Sequence, residues 1–171
     1  MKQLIQSIKT NKTELINVPA PIMKPGCILI KTSCSLVSLG TERTIVEFGN
    51  SSIFKKIKQR PDQVKQVVNK LKSEGLFSTM KTVQEKLDQQ IPLGYCNVGT
   101  VIDSDYPTFK IGDRVVSNGY HAEIVRVPEK LVAKIPDDVT DEEALFTVIG
   151  SIGLQGIRLL NPTFGETIVV I

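Results

Sequence analysis

One histidine, His121, stands in this sequence of 171 residues. It is the only side chain here whose ordinary titration falls near neutrality, which suits it to general acid or base work. It follows Asn118-Gly119-Tyr120, at the mouth of a strand, where a plain loop histidine is the alternative reading. Glu42 and Arg43 come just after Gly40-Thr41. A carboxylate and a guanidinium so placed orient a polar substrate or pair with each other, and a surface pair of that kind contributes little energy. The three cysteines, Cys27, Cys34 and Cys96, are odd in number and lack CxxC spacing. That argues against a disulfide framework and a zinc knuckle. They read as reduced thiols packed as small hydrophobes.

The elements that must position these groups begin with strands. Leu4 to Ile8 and Glu14 to Val18 flank a polar turn, and Pro25-Gly26 precedes the β-rich run Ile28 to Cys34. Thr41-Glu42-Arg43 opens a short helix toward Phe48, stopped by Gly49. The middle changes character. Val64, Val67, Val68 and Leu71, then Leu76, Met80, Val83 and Leu87, recur at helical spacing on either side of Gly75. They predict a helical hairpin inserted over residues 51–91 and closed by Pro92. Strand signals return at Asn97 to Ile102, Arg114 to Ser117, Ala122 to Val127 and Leu131 to Ile135. Thr140 and Glu143 make a capping box for a helix. A second helix is expected over Gly150 to Leu160, and Glu166 to Ile171 reads as a strand buried on both faces.

Composition narrows the class. Hydrophobic residues are 41% and charged residues 23%, as in globular proteins. No apolar run approaches the roughly 20 residues of a membrane span. The start has no apolar secretory core, so a cytoplasmic location is expected. Between Ser51 and Gln90 there are nine Lys/Arg against four Asp/Glu, whereas the remainder has twelve against fourteen. The inserted hairpin therefore carries all the excess positive charge.

The order of motifs resembles the N-terminal part of the medium-chain dehydrogenases/reductases, the alcohol-dehydrogenase-like superfamily. The matching pieces are Pro25-Gly26 before Ile28-Leu29-Ile30-Lys31, Gly94-Tyr95-Cys96-Asn97-Val98-Gly99-Thr100-Val101, and Phe109-Lys110-Ile111-Gly112-Asp113-Arg114-Val115. After them come Ala122 to Pro128, Ala133-Lys134-Ile135-Pro136-Asp137 and Gly165 to Ile171. Ser35 to Arg43 and Gly150 to Gly156 look most like bacterial bi-domain oxidoreductases found with polysaccharide genes. The resemblance implies a mainly β fold with helices. It would be a GroES-like, partly open β-barrel over residues 1–148 with the inserted hairpin. The first helix and strand of a truncated nucleotide-binding Rossmann domain would follow over 149–171. A Rossmann site needs a Gly-rich turn that brings the pyrophosphate to a helix N-terminus. The chain stops before any such turn, so the fragment alone is expected to be inactive, with the missing Rossmann domain as its partner.

Zinc enzymes of that superfamily draw their catalytic ligands from positions that fall here on Ser38, Tyr95 and Ser151. None is an ordinary zinc ligand, and no zinc is expected. By the resemblance, NAD or NADP is the cofactor in the full-length protein. The substrate it implies is an alcohol or carbonyl compound, with a sugar-related one suggested by the polysaccharide subgroup. Without a Lewis acid the carbonyl needs hydrogen-bond donors or a proton donor. Tyr95 is the first candidate, with Ser38 and Thr41 as a proton relay. Gln155 matches a position that often touches the nicotinamide, where threonine is common, and Ser151 lies one turn before it. Cys34 and Cys96 flank the ligand positions, which leaves a displaced metal site as the alternative.

Two other functions compete with an oxidoreductase. One is a GroES-like binding or assembly module, since a fold does not fix a function. The other is an anion-binding surface on the basic hairpin around Lys55, Lys56, Lys58 and Arg60. That hairpin lacks the interleaved aromatics of a base-stacking platform. No nucleic-acid or membrane partner is expected, and a homo-oligomer remains open.

Overall fold

Alternating and continuous apolar runs separated by Gly and Pro dictate short strands, and these dominate the computed structural model, which describes residues 1–7, 10, 12–50 and 90–170. In chain order they are β1 (Lys2–Ser7), β2 (Thr13–Asn17), β3 (Cys27–Ser35), helix α1 (Thr41–Asn50), β4 (Gln90–Pro92), β5 (Asn97–Ser104), β6 (Arg114–Ser117), β7 (Ile124–Pro128), a 3-10 turn (Glu129–Leu131), β8 (Val132–Lys134), α2 (Asp141–Ala144) and α3 (Thr147–Leu160). Two compact units share these elements. One comprises residues 1–20, 37–94 and 120–123, the other 21–36, 95–119 and 124–171.

The first unit holds an antiparallel sheet in the order β2-β1-β4. Ile5 and Gln6 are adjacent in β1 and both buried, so both faces of that strand are covered. A buried amide must find partners. Gln6 Oε1 accepts from Thr13 Oγ1 at 2.7 Å. The short segment 120–123 is stitched onto β1. Ala122 bridges Gln3, the Glu123 N–H donates to Lys2 O, and the Leu4 N–H donates to His121 O.

The second unit is built on a five-stranded antiparallel sheet, β7-β3-β5-β6-β8. Ile28, Leu29 and Ile30 of β3 are all buried, as are Val98 and Val101 of β5 and Val115 and Val116 of β6. In β7 the pattern alternates: Val125 and Val127 point inward, as a pleated strand with one covered face requires. The register of β3 on β5 shifts between Leu29 and Ile30 and again between Thr32 and Cys34. Such bulges bend a strand and increase its twist. The sheet ends at β7 and β8, consistent with a partly open barrel. Val98, Val116, Ile135, Ala144 and Leu145 form one core cluster, against which Cys34, Leu36, Val139 and Val148 pack.

Arg114 ties β6 to α2. Its Nη2 donates to Asp141 Oδ1 at 2.6 Å and to Val139 O at 2.8 Å, and its Nε reaches the same carboxylate at 3.0 Å. The capping box forms as the sequence signals: the Glu143 N–H donates to Thr140 Oγ1, and the Thr140 N–H donates to Glu143 Oε2. α3 starts a turn earlier than expected, at Thr147, and ends on Asn161 in the left-handed conformation (φ 48°).

The mainly β expectation thus holds. Two local expectations change. Gln90 and Ile91, assigned to the helical insertion, form β4 with Pro92, because they find the edge of β1 as a partner. Residues 166–170 form no strand: no described strand runs beside them, and Val169 and Val170 are exposed rather than buried on both faces. A strand is completed by its neighbour's hydrogen bonds, which a local pattern cannot guarantee. Beyond Val148, the apolar residues of α3, among them Ile152, Leu154 and Ile157, are exposed. The inserted hairpin itself, with Lys55, Lys56, Lys58 and Arg60, lies outside the described residues. Among those described, no helix is long and apolar enough to cross a membrane.

Candidate functional site

The site in the first unit centres on a carboxylate. Thr41 opens α1, and Glu42 is the next residue, buried at 5% exposure. Glu42 Oε2 meets His121 Nε2 at 2.9 Å, with both side chains more than nine-tenths buried. Its other oxygen, Oε1, accepts from the Ser38 N–H at 2.8 Å. The Glu42 N–H in turn donates to Ser38 O at 3.0 Å. Glu42 therefore gathers two other residues singled out from the sequence, Ser38 and His121.

Residue 121 is clamped by its backbone as well. Its N–H donates to Leu93 O at 2.8 Å and its carbonyl accepts from Leu4 at 2.9 Å. The imidazole lies against Gly94, whose φ of +95° belongs to glycine. A Cβ there would stand 2.8 Å from Cγ and Nδ1 of the ring. Sequence reasoning placed Gly94 in a matching motif but gave it no role at the site. Its signal was a lone glycine interrupting a strand-like run, which marks close backbone approach.

Arg43 does not pair with Glu42. Neighbours on a helix diverge by about 100°, and Arg43 instead reaches Glu47 at 2.6 Å on the exposed surface. Thr41 is exposed at the start of α1.

The remaining candidates belong to the second unit. Tyr95 is half-buried in the bend between β4 and β5. Ser151 and Gln155 are exposed on α3. They are four residues apart, so they share one helix face. The Ser151 hydroxyl donates to Thr147 O at 2.7 Å.

Ser38 in the first unit, and Tyr95 and Ser151 in the second, each carry a neutral hydroxyl, which is not an ordinary zinc ligand. Among the described residues, no three of His, Cys, Asp and Glu are grouped to hold a metal ion. Cys34 is a poor thiolate source. Burial, reinforced by the Asp141 and Glu142 carboxylates, pushes its thiol up. The thiolate is the reacting form, so alkylation of Cys34 by iodoacetamide at pH 8 is expected to run roughly 10-fold slower in the native protein than in urea. Peptide-resolved mass spectrometry measures both rates, and equal rates would contradict this environment.

Neither a protein-family model nor a curated protein matches the chain. Solved structures do. The quinone oxidoreductase from Coxiella burnetii superposes with a TM-score of 0.64 at 20% identity, over 97% of this chain and 47% of that one. The chain shares its fold. Galactitol-1-phosphate dehydrogenase from Escherichia coli gives 0.64 at 15% identity, over 94% and 45%. The quinone oxidoreductase from Thermus thermophilus, whose structures include a complex with NADPH, gives 0.62 at 16% identity, over 97% and 43%. The chain therefore spans less than half the length of each of these three structures.

Proposed function

We propose that this chain is the substrate-side domain of an NAD(P)-dependent oxidoreductase that reduces a carbonyl group, quinone or ketone, without zinc. The observation that carries this reading is the shared fold with oxidoreductases, one of them solved with NADPH. Residues 1–148 are the substrate side in this reading, and 149–171 lead into the nucleotide-binding part. The dinucleotide's pyrophosphate needs a Gly-rich turn before a helix, so these residues supply at most the nicotinamide side. Ser151 and Gln155, on one face of α3, are the groups proposed to touch it.

Bound NAD(P)H supplies the hydride in such chemistry. The chain's own task is to stabilise the negative charge that develops on the carbonyl oxygen. Tyr95 is proposed as the donor to that oxygen, and the Ser38 and Thr41 hydroxyls are proposed as proton carriers. A sugar-related substrate belongs to the same proposal at a finer level, resting on the likeness of Ser35 to Arg43 to oxidoreductases of polysaccharide gene clusters.

The test uses the whole protein that its gene encodes. It is offered NADH or NADPH with quinones, aldehydes and keto sugars, and absorbance is followed at the nicotinamide band. Turnover is expected to survive a zinc chelator, with zinc well below one per chain. Tyr95→Phe is expected to lower kcat roughly 10²-fold. No hydride transfer from either nucleotide, or one tightly held zinc whose removal abolishes turnover, would refute the reading.

A further inference from the structure

Each oxygen of the Glu42 side chain has its own partner: the Ser38 N–H at 2.8 Å and His121 Nε2 at 2.9 Å. We propose that Glu42 and His121 are a positioning pair that holds the Ser38 segment in a single conformation. The catalytic meaning of this pair rests on the oxidoreductase reading. Neither residue is assigned a contact with substrate.

An ionised carboxylate can only accept hydrogen bonds, so the imidazole nitrogen that faces it carries a hydrogen. That nitrogen is Nε2. The ring has little freedom to turn. Its backbone is bonded to Leu93 and Leu4, its far side rests on Gly94, and it is 8% exposed. Ser38 is held just as firmly, because its N–H goes to the Glu42 side chain and its carbonyl to the Glu42 backbone. The placement of the Ser38 backbone therefore depends on a histidine far away in the sequence, through the acid between them. Glutamine at position 42 cannot replace this. It has one acceptor oxygen, and its NH₂ must confront either the Ser38 N–H or the Nε2–H. The least costly remedy is for the imidazole to move its hydrogen to Nδ1 and accept the amide through Nε2.

His121 is the single histidine of the sequence. In the whole protein labelled with ¹⁵N-histidine, its signals are assigned by their loss in His121→Asn. Long-range ¹H–¹⁵N spectra then report which nitrogen bears the hydrogen. The wild type is expected to carry it on Nε2, whether or not Nδ1 is also protonated, and Glu42→Gln is expected to lose it there. Ser38→Ala should leave the ring unchanged, since the contact is made through the backbone. In turnover, Glu42→Gln is expected to cut kcat at least ~10-fold with KM within about twofold. Glu42→Asp should recover part of that loss, and Ser38→Ala combined with Glu42→Gln should add little to it. A wild-type ring with hydrogen on Nδ1 alone overturns the proposal with no variant needed. So does an unchanged ring in Glu42→Gln, or an unchanged kcat beside a changed ring. Absence of turnover in the wild type sinks the oxidoreductase reading instead, and the ring spectra still decide whether Glu42 fixes His121.

Discussion

Gly99→Ala is expected to lower stability by roughly 4 kcal/mol, a fall in Tm of roughly 10 °C for a chain of this size. Gly99 lies inside β5, opposite Thr32 of β3 and Val115 of β6. A Cβ there would stand 2.1 Å from the Lys31 carbonyl oxygen and 2.9 Å from Ile30 Cγ2. The first obstacle is backbone, so no rotamer change relieves it. The β3–β5 ladder would have to open in the middle of the core sheet, beside the bulge between Thr32 and Cys34. Thermal and urea denaturation measure the loss. The same change at Gly153 is the control: nothing stands within 4 Å of its Cβ position, and alanine favours a helix by up to ~1 kcal/mol over glycine. Equal effects at the two positions would contradict the close strand approach.

Gly94→Ala comes second, at roughly 3 kcal/mol, because two costs combine there. A φ of +95° strains any side-chain-bearing residue, and the new Cβ would meet His121 N at 2.6 Å. Since His121 is clamped between Leu93 and Leu4, the ring or the 120–123 segment must move. Stability loss should therefore be accompanied by a displaced His121 resonance. Denaturation and the histidine ¹H–¹⁵N spectrum test both halves, and a variant that keeps wild-type stability would show that Gly94 does not cradle the ring.

The strands were legible because their patterns are local. Ile28-Leu29-Ile30 and Val115-Val116 read as buried runs and are buried. The capping box at Thr140 and Glu143 forms as the spacing implies. Where a neighbour decides the outcome, the pattern misled. Gln90-Ile91 joined β1 as a strand, and Glu166 to Val170 stayed without a ladder although their composition is that of a buried strand. Pairing with the adjacent acid was one of two readings of Arg43, and helix geometry gave it Glu47 instead.

The candidate site divides along the same line. Residue type pointed to His121 as an acid or base and to Glu42 as a group that orients substrate or pairs with Arg43, while the hydroxyls at Ser38, Tyr95 and Ser151 came from the resemblance to the zinc enzymes. What joined Glu42 to His121 was the return of segment 120–123 to the edge of β1, a contact across 79 residues of chain. Sequence fixes which chemistry a side chain can perform, because that is a property of its atoms. Partners depend on where the backbone returns. Only the folded chain could show that the carboxylate at position 42 is shared between a serine amide and an imidazole, and that a glycine makes room for the ring.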